Sequence, residues 1–80
     1  MSKYTAKDAI DIVAAIKRSI SHNEIVHVTV PSLAEGKQWV SERSESCASV
    51  ETEDNQGLPI LDIWGDDGQG GEFRLELKAQ

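Results

Sequence analysis

An apolar stripe with helical spacing runs through the first quarter of the chain. Its members recur at three- and four-residue steps and are Ala9, Ile12, Val13, Ile16 and Ile20. This spacing predicts an amphipathic helix over residues 5–22. Thr5 and Asp8 have the spacing of a capping box at its start, and Asn23 is suited to the left-handed conformation that ends a helix.

The next segment changes from helical spacing to a period of two. Residues 24–30 place three valines on one face, Val26, Val28 and Val30, and stop at Pro31. This alternation predicts a strand. Ser32 with Glu35 then predicts the start of a second helix, which would present Leu33, Gly36 and Val40 to one side. Glycine lowers helix propensity by about 1 kcal/mol relative to alanine, so we expect a close helix–sheet contact at Gly36.

Three further strands are predicted in the last third of the chain. They are Cys47–Thr52 with Ala48 and Val50 inward, Ile60–Trp64 with Leu61 and Ile63 inward, and Glu72–Lys78 with Phe73, Leu75 and Leu77 inward. Turn-forming residues at 54–57 separate the first two, and a glycine-rich loop, 65–71, separates the last two. Pro59 favours an edge or the beginning of a strand.

These elements predict a single small α+β domain over residues 1–80, with residues 1–4 frayed. The element order is α-β-α-β-β-β. The β-α-β step predicts parallel directions for the first two strands, and the last three strands are expected to form an antiparallel meander. We therefore expect a four-stranded, mostly antiparallel sheet with two helices on one face and the other face open.

Charge is distributed unevenly between the two halves of this chain, whose net charge is −6. Residues 1–40 carry five Lys or Arg against four Asp or Glu, whereas residues 41–80 carry three against ten. The second half therefore favours a basic partner and disfavours nucleic acid and anionic lipid. A single cysteine and the absence of an apolar signal-type segment predict a cytoplasmic protein with no membrane span.

The chemistry-bearing residues do not form a recognised catalytic, cofactor or metal motif. In the 65–71 loop, a calcium pattern fails at Ile63 and Gly65, and Gly71 precedes a strand where a nucleotide-binding loop needs a helix. Cys47 has no histidine close in sequence, and it makes an irregular zinc set with His22 and His27. Basic residues of the first helix are interleaved with Asp8 and Asp11 and lack stacking aromatics. We therefore predict that the protein is not an enzyme and that it binds no cofactor, no metal and, directly, no nucleic acid.

The open sheet face is the predicted binding surface. Its candidate partner-binding residues are Ile25, His27, Glu51, Ile60, Asp62, Trp64, Glu72, Arg74 and Glu76. Tryptophan and isoleucine among acids are typical of a surface with apolar anchors and a charged rim. The leading hypothesis is a non-enzymatic regulator, adaptor or inhibitor that docks a protein with a basic surface.

Two alternative functions remain open at the level of sequence. In size, charge and layout the chain is similar in general character to small phage and mobile-element proteins that block host enzymes, and this likeness implies inhibition of a nucleic-acid-handling enzyme by acidic mimicry. The other alternative is a homo-oligomeric structural domain, for example a homodimer, that uses the same face or an unpaired strand edge.

Overall fold

Seven elements follow one another in the computed structural model, which describes residues 2–80. They are β1 (Ser2–Thr5), α1 (Ala9–His22), β2 (Ile25–Val30), α2 (Leu33–Arg43), β3 (Ser46–Glu53), β4 (Pro59–Asp66) and β5 (Glu72–Ala79). Both predicted helices and all four predicted strands are present, together with the additional strand β1. The α+β class is therefore confirmed.

The sheet has five strands in the order β1-β2-β5-β4-β3. The β1–β2 and β2–β5 pairs are parallel, while β3–β4 and β4–β5 are antiparallel. The predicted meander of the last three strands is thus confirmed, but the sheet is mixed rather than mostly antiparallel. β2 and β3 run in the same direction, yet β5 and β4 lie between them.

The start of the chain differs from the sequence prediction. Residues 2–5 form β1, where we expected a frayed terminus; Met1 lies outside the described residues. Because Thr5 pairs with Thr29 on β2, it is not the helix cap. Asp8 takes that role, and its carboxylate accepts the N–H groups of Ile10 and Asp11 at 3.0 and 3.2 Å. α1 consequently begins at Ala9 and not at residue 5.

The other predicted helix boundaries are confirmed. Asn23 ends α1 with φ 49° and ψ 51°, in the left-handed region. Ser32 caps α2 by accepting the N–H of Glu35 at 3.2 Å, and its hydroxyl lies 3.3 Å from the Glu35 carboxylate. These caps satisfy backbone groups that a helix end leaves without an internal partner.

Both helices pack on the same face of the sheet and enclose the core. Buried core side chains come from the two helices and from the inward positions of β2, β4 and β5, and include Ile12, Ile16, Val26, Val28, Val30, Val40, Ile63, Phe73, Leu75 and Leu77. At Gly36, an added Cβ would lie 3.0 Å from side-chain atoms of Leu77 and Val30. The expected close helix–sheet contact is therefore present. Neither helix of the described chain has the length and apolar character needed to cross a membrane.

A buried hydroxyl links α1 to the centre of the sheet. Ser19 is 1% exposed, and its Oγ accepts the backbone N–H of Arg74 at 2.8 Å. The same hydroxyl lies 2.7 Å from the carbonyl oxygen of Glu24, to which it donates. One side chain therefore ties the end of α1, the start of β2 and β5 together.

We predict that Ser19→Ala lowers the free energy of unfolding by about 1–3 kcal/mol, because it leaves the part-buried Arg74 N–H and Glu24 carbonyl without the Ser19 hydroxyl. Ser21→Ala is the matched control, since Ser21 is exposed on the same helix, and should change stability by less than about 0.5 kcal/mol. Urea denaturation monitored by circular dichroism measures both values. Equal effects of the two substitutions would contradict the assigned role of Ser19.

A second prediction compares two glycines. A Cβ at Gly65 would overlap the carbonyl oxygen of Ser46 and lie 2.9 Å from the Cα of Cys47, both backbone atoms of β3. A Cβ at Gly36 meets only the ends of side chains, and alanine there also gains about 1 kcal/mol of helix propensity. We expect Gly65→Ala to cost about 1–3 kcal/mol or more by overpacking, and Gly36→Ala to cost clearly less. The same denaturation measurement tests this order, and the reverse order would refute it.

Candidate functional site

The side of the sheet that faces away from α1 and α2 is covered by no helix; we call it the open face. Strand register places its side chains in cross-strand rows. They are Ile25–Arg74–Trp64–Ala48, then Lys3–His27–Glu76–Asp62–Val50, then Thr5–Thr29–Lys78–Ile60–Thr52, with Glu72–Asp66–Ser46 at one end. Each row runs across the strands, so residues from distant parts of the sequence become neighbours.

Large apolar side chains are exposed on this face. Ile25 and Trp64 are each 43% exposed, and Val50 is 53% exposed. Arg74 lies between Ile25 and Trp64 in its row, because β5 separates β2 from β4. The row therefore alternates apolar side chains with a guanidinium, and the three together line a shallow surface cavity.

The adjacent row places two carboxylates side by side. Asp62 on β4 pairs directly with Glu76 on β5, in a position where like charges repel. On the other side of Glu76, the Nδ1 atom of His27 lies 3.4 Å from a Glu76 carboxylate oxygen. Asp62 has Val50 as its neighbour on the β3 side. The centre of the open face therefore carries a negative pair with one histidine beside it.

The β3–β4 turn borders the open face at the end opposite to Trp64. Asp54 forms a 2.9 Å ion pair with Lys78, and Asn55 lines a cavity together with Lys3 and His27. Ile60, which lies next to Lys78, is only 7% exposed. Ile60 thus belongs to the predicted face but not to its accessible apolar surface.

The structure places eight of the nine predicted site residues on the open face. These are Ile25, His27, Ile60, Asp62, Trp64, Glu72, Arg74 and Glu76. Glu51 is the exception. It pairs with Leu61 and so lies on the helix side of the sheet, where β3 extends beyond the cover of the helices.

The misplacement of Glu51 follows from the reversed orientation of β3. Ala48 and Val50 were predicted to point inward, but they pair with Trp64 and Asp62 on the open face. The turn between Glu53 and Pro59 fixes this register, because Leu61 and Ile63 must face the helices. Ala48 and Val50 are therefore open-face residues that the sequence prediction placed on the wrong side of β3. The predicted turn, 54–57, would have paired Val50 with Leu61, whereas the actual connection also includes Leu58 and pairs Val50 with Asp62.

Neither histidine is positioned to act as a base for the Cys47 thiol. Cys47 pairs with Gly65 and lies half-buried on the helix side, whereas His27 lies on the open face. His22 is exposed at the end of α1. Across residues 2–80, no three His, Cys, Asp or Glu side chains are grouped so that they could hold a metal ion.

The glycine-rich segment is organised by an aspartate. β4 extends through Gly65 and Asp66, so the connecting turn is shorter than the predicted 65–71 loop. The Asp67 carboxylate accepts the N–H groups of Gln69 and Gly71 at 2.8 and 2.9 Å. These hydrogen bonds lower the pKa of Asp67. The N–H groups of Gln69 and Gly71 are thus directed at the chain's own carboxylate.

Asp54 gives a pH-dependent prediction. Its hydrogen bond to Lys78, followed by those from the Leu58 and Gln56 N–H groups, lowers its pKa from 3.8 to about 2. A depressed carboxyl pKa stabilises the fold above pH 3.8, and this contribution is lost as the pH falls towards 2. We expect Lys78→Met to raise the Asp54 midpoint in a carboxyl ¹³C NMR titration and to leave the low Asp67 midpoint in place. An Asp54 midpoint that is insensitive to Lys78→Met would contradict the assignment.

Comparisons with known proteins return no relative for this chain. No protein-family model, no curated protein and no solved structure matches it.

Proposed function

We propose that the chain is a non-enzymatic protein-interaction domain, acting in the cytoplasm as a regulator, adaptor or inhibitor, that docks a basic protein through its open face. The observation that carries this proposal is the exposure of Trp64, Ile25 and Val50 on a sheet face without helical cover. Single exposed apolar residues are common on soluble proteins, but three on one face mark an interaction surface.

Trp64 is the central anchor of this surface. It lies in the row between Arg74 and Ala48, so it has a cationic neighbour on one side and a small one on the other. Burial of a tryptophan against a partner removes a large apolar area from water, and tryptophan and arginine are the residues most often found at binding hot spots.

The Asp62–Glu76 pair accounts for the expected basic character of the partner. Two adjacent carboxylates repel each other in the free protein, and within their row the basic side chains are His27, next to Glu76, and Lys3 on the far side of His27. A lysine or arginine placed over Asp62 relieves that repulsion. The partner's cation and its apolar pocket for Trp64 would then lie on neighbouring rows.

We predict that Trp64→Ala and Asp62→Lys each preserve the fold but reduce partner capture by about tenfold or more, as expected for a hot-spot residue. Ile10→Ala is the matched control because Ile10 is 75% exposed on α1, away from the open face. The measurement is quantitative affinity capture from the native host, with circular dichroism to verify folding. Unchanged capture by both open-face variants would refute the proposal.

A homo-oligomer that uses the same face is the competing outcome. Light scattering at two protein concentrations separates the two, since a second copy would increase the molecular mass as the concentration rises. A monomer at both concentrations supports docking of a different protein.

A further inference from the structure

The outer edge of β3 is the second unusual surface of the molecule. β3 is the last strand in the sheet order and pairs only with β4 along its eight residues. Alternate N–H and C=O groups of such a strand point away from the sheet and have no strand partner. The other edge, β1, has only four residues. β3 is therefore the long free edge.

The two ends of β3 differ in charge. Its first five residues, Ser46–Val50, include no charged residue and no proline, the two features that commonly protect an edge against further pairing. Its last three residues include Glu51 and Glu53, both exposed and neither in a salt bridge among the described residues. The edge thus combines an unprotected stretch with a negative one.

The two sides of β3 also differ. Ala48 and Val50 lie on the open face, while Glu51 and Glu53 lie on the helix side. Directly opposed residues on neighbouring strands interact most strongly, so an added strand would meet apolar side chains on one side and carboxylates on the other.

We propose that the β3 edge takes an extended segment of a protein partner as a sixth strand, and that this segment alternates apolar residues with lysine or arginine. The inference rests on the proposed function in that it assumes a protein partner, but it uses a different surface. Backbone hydrogen bonds provide the affinity, and the alternating side chains provide the selectivity.

Charge argues for this occupant over a second copy of the chain. A second β3 brings its own Glu51 and Glu53 and has no lysine or arginine to place opposite them. Each chain also carries a net charge of −6, so two copies repel each other. A strand that carries lysine or arginine would instead place a positive charge opposite each of these glutamates.

The test uses a fluorescein-labelled peptide of alternating lysine and valine that matches β3 in length, with anisotropy as the readout at physiological ionic strength. We expect it to bind the full chain. A block isomer of the same composition, and a peptide N-methylated at every residue, should each bind about tenfold more weakly or worse, because the first loses the alternation and the second loses the N–H donors of both edges.

Two double variants locate the binding surface. Glu51→Lys with Glu53→Lys should weaken peptide binding by about tenfold or more, while Glu35→Lys with Glu42→Lys should change it by less than about threefold. The second pair produces the same change in net charge but lies exposed on α2. Circular dichroism establishes that both are folded, and Glu51→Gln with Glu53→Gln serves as the milder edge variant.

Each contrary result overturns the inference. Absence of binding, equal loss in both double variants, or indifference to N-methylation would exclude strand addition at β3. A dimer that dissociates in the Glu51→Lys, Glu53→Lys variant would assign the edge to a second copy. Trp64→Ala distinguishes the two proposals, because it should reduce partner capture by about tenfold or more while leaving peptide binding within about threefold.

Discussion

The pairing of β2 with β5 is the constraint on which the rest of the sheet depends. β5 is the last strand of the chain, yet it lies in the centre, parallel to β2 on one side and antiparallel to β4 on the other. Without it, β1–β2 and β3–β4 would be two separate strand pairs, and isolated pairs of strands are marginally stable in water. Ser19 reinforces this junction from the helix side by bonding the backbone of Arg74.

This dependence explains which parts of the fold were predictable. Helix caps and the alternation of β2, β4 and β5 are local signals, and they gave the helices, the strands and the helix-covered face. The position of β5 is decided by contacts between residues far apart in sequence, for which a single sequence has no local signal. β1 is similar, since four residues with one aromatic, Tyr4, become a strand only because β2 offers an unpaired edge.

The residues that β2, β4 and β5 contribute to the open face were predictable from the sequence, but those of β3 were not. The positions of Trp64, Asp62 and Arg74 on this face were predictable, because they alternate with large apolar residues that must face the core. The alternation of Ala48 and Val50 in β3 suggested the wrong face, whereas Cys47 is the β3 residue that packs against the core. The orientation of β3 is set by its pairing with β4 across the turn at Asp54. The Asp54 carboxylate accepts two backbone N–H groups of that turn.

The acidity of the second half is divided among different physical roles. Asp54 and Asp67 organise turns, and Asp66 accepts the N–H and hydroxyl of Ser46 at the start of β3. Asp62 and Glu76 form the like-charged pair of the open face, whereas Glu51 and Glu53 lie on the other side of the sheet. Net charge alone therefore does not define one acidic surface, because several carboxylates are committed to the fold.

The open face and the β3 edge meet at Ala48. Adjacent strands are about 4.8 Å apart, so a strand added to β3 would lie about 10 Å from β4, within reach of a long side chain that extends over the methyl group of Ala48. Trp64 is the residue opposite Ala48 and is 43% exposed there. A larger residue than alanine would separate the edge from the tryptophan. The small side chain at this position thus leaves Trp64 accessible beside the edge, while the short valines of a lysine–valine segment paired with β3 would not reach across to it, so the two proposed surfaces are adjacent but separate.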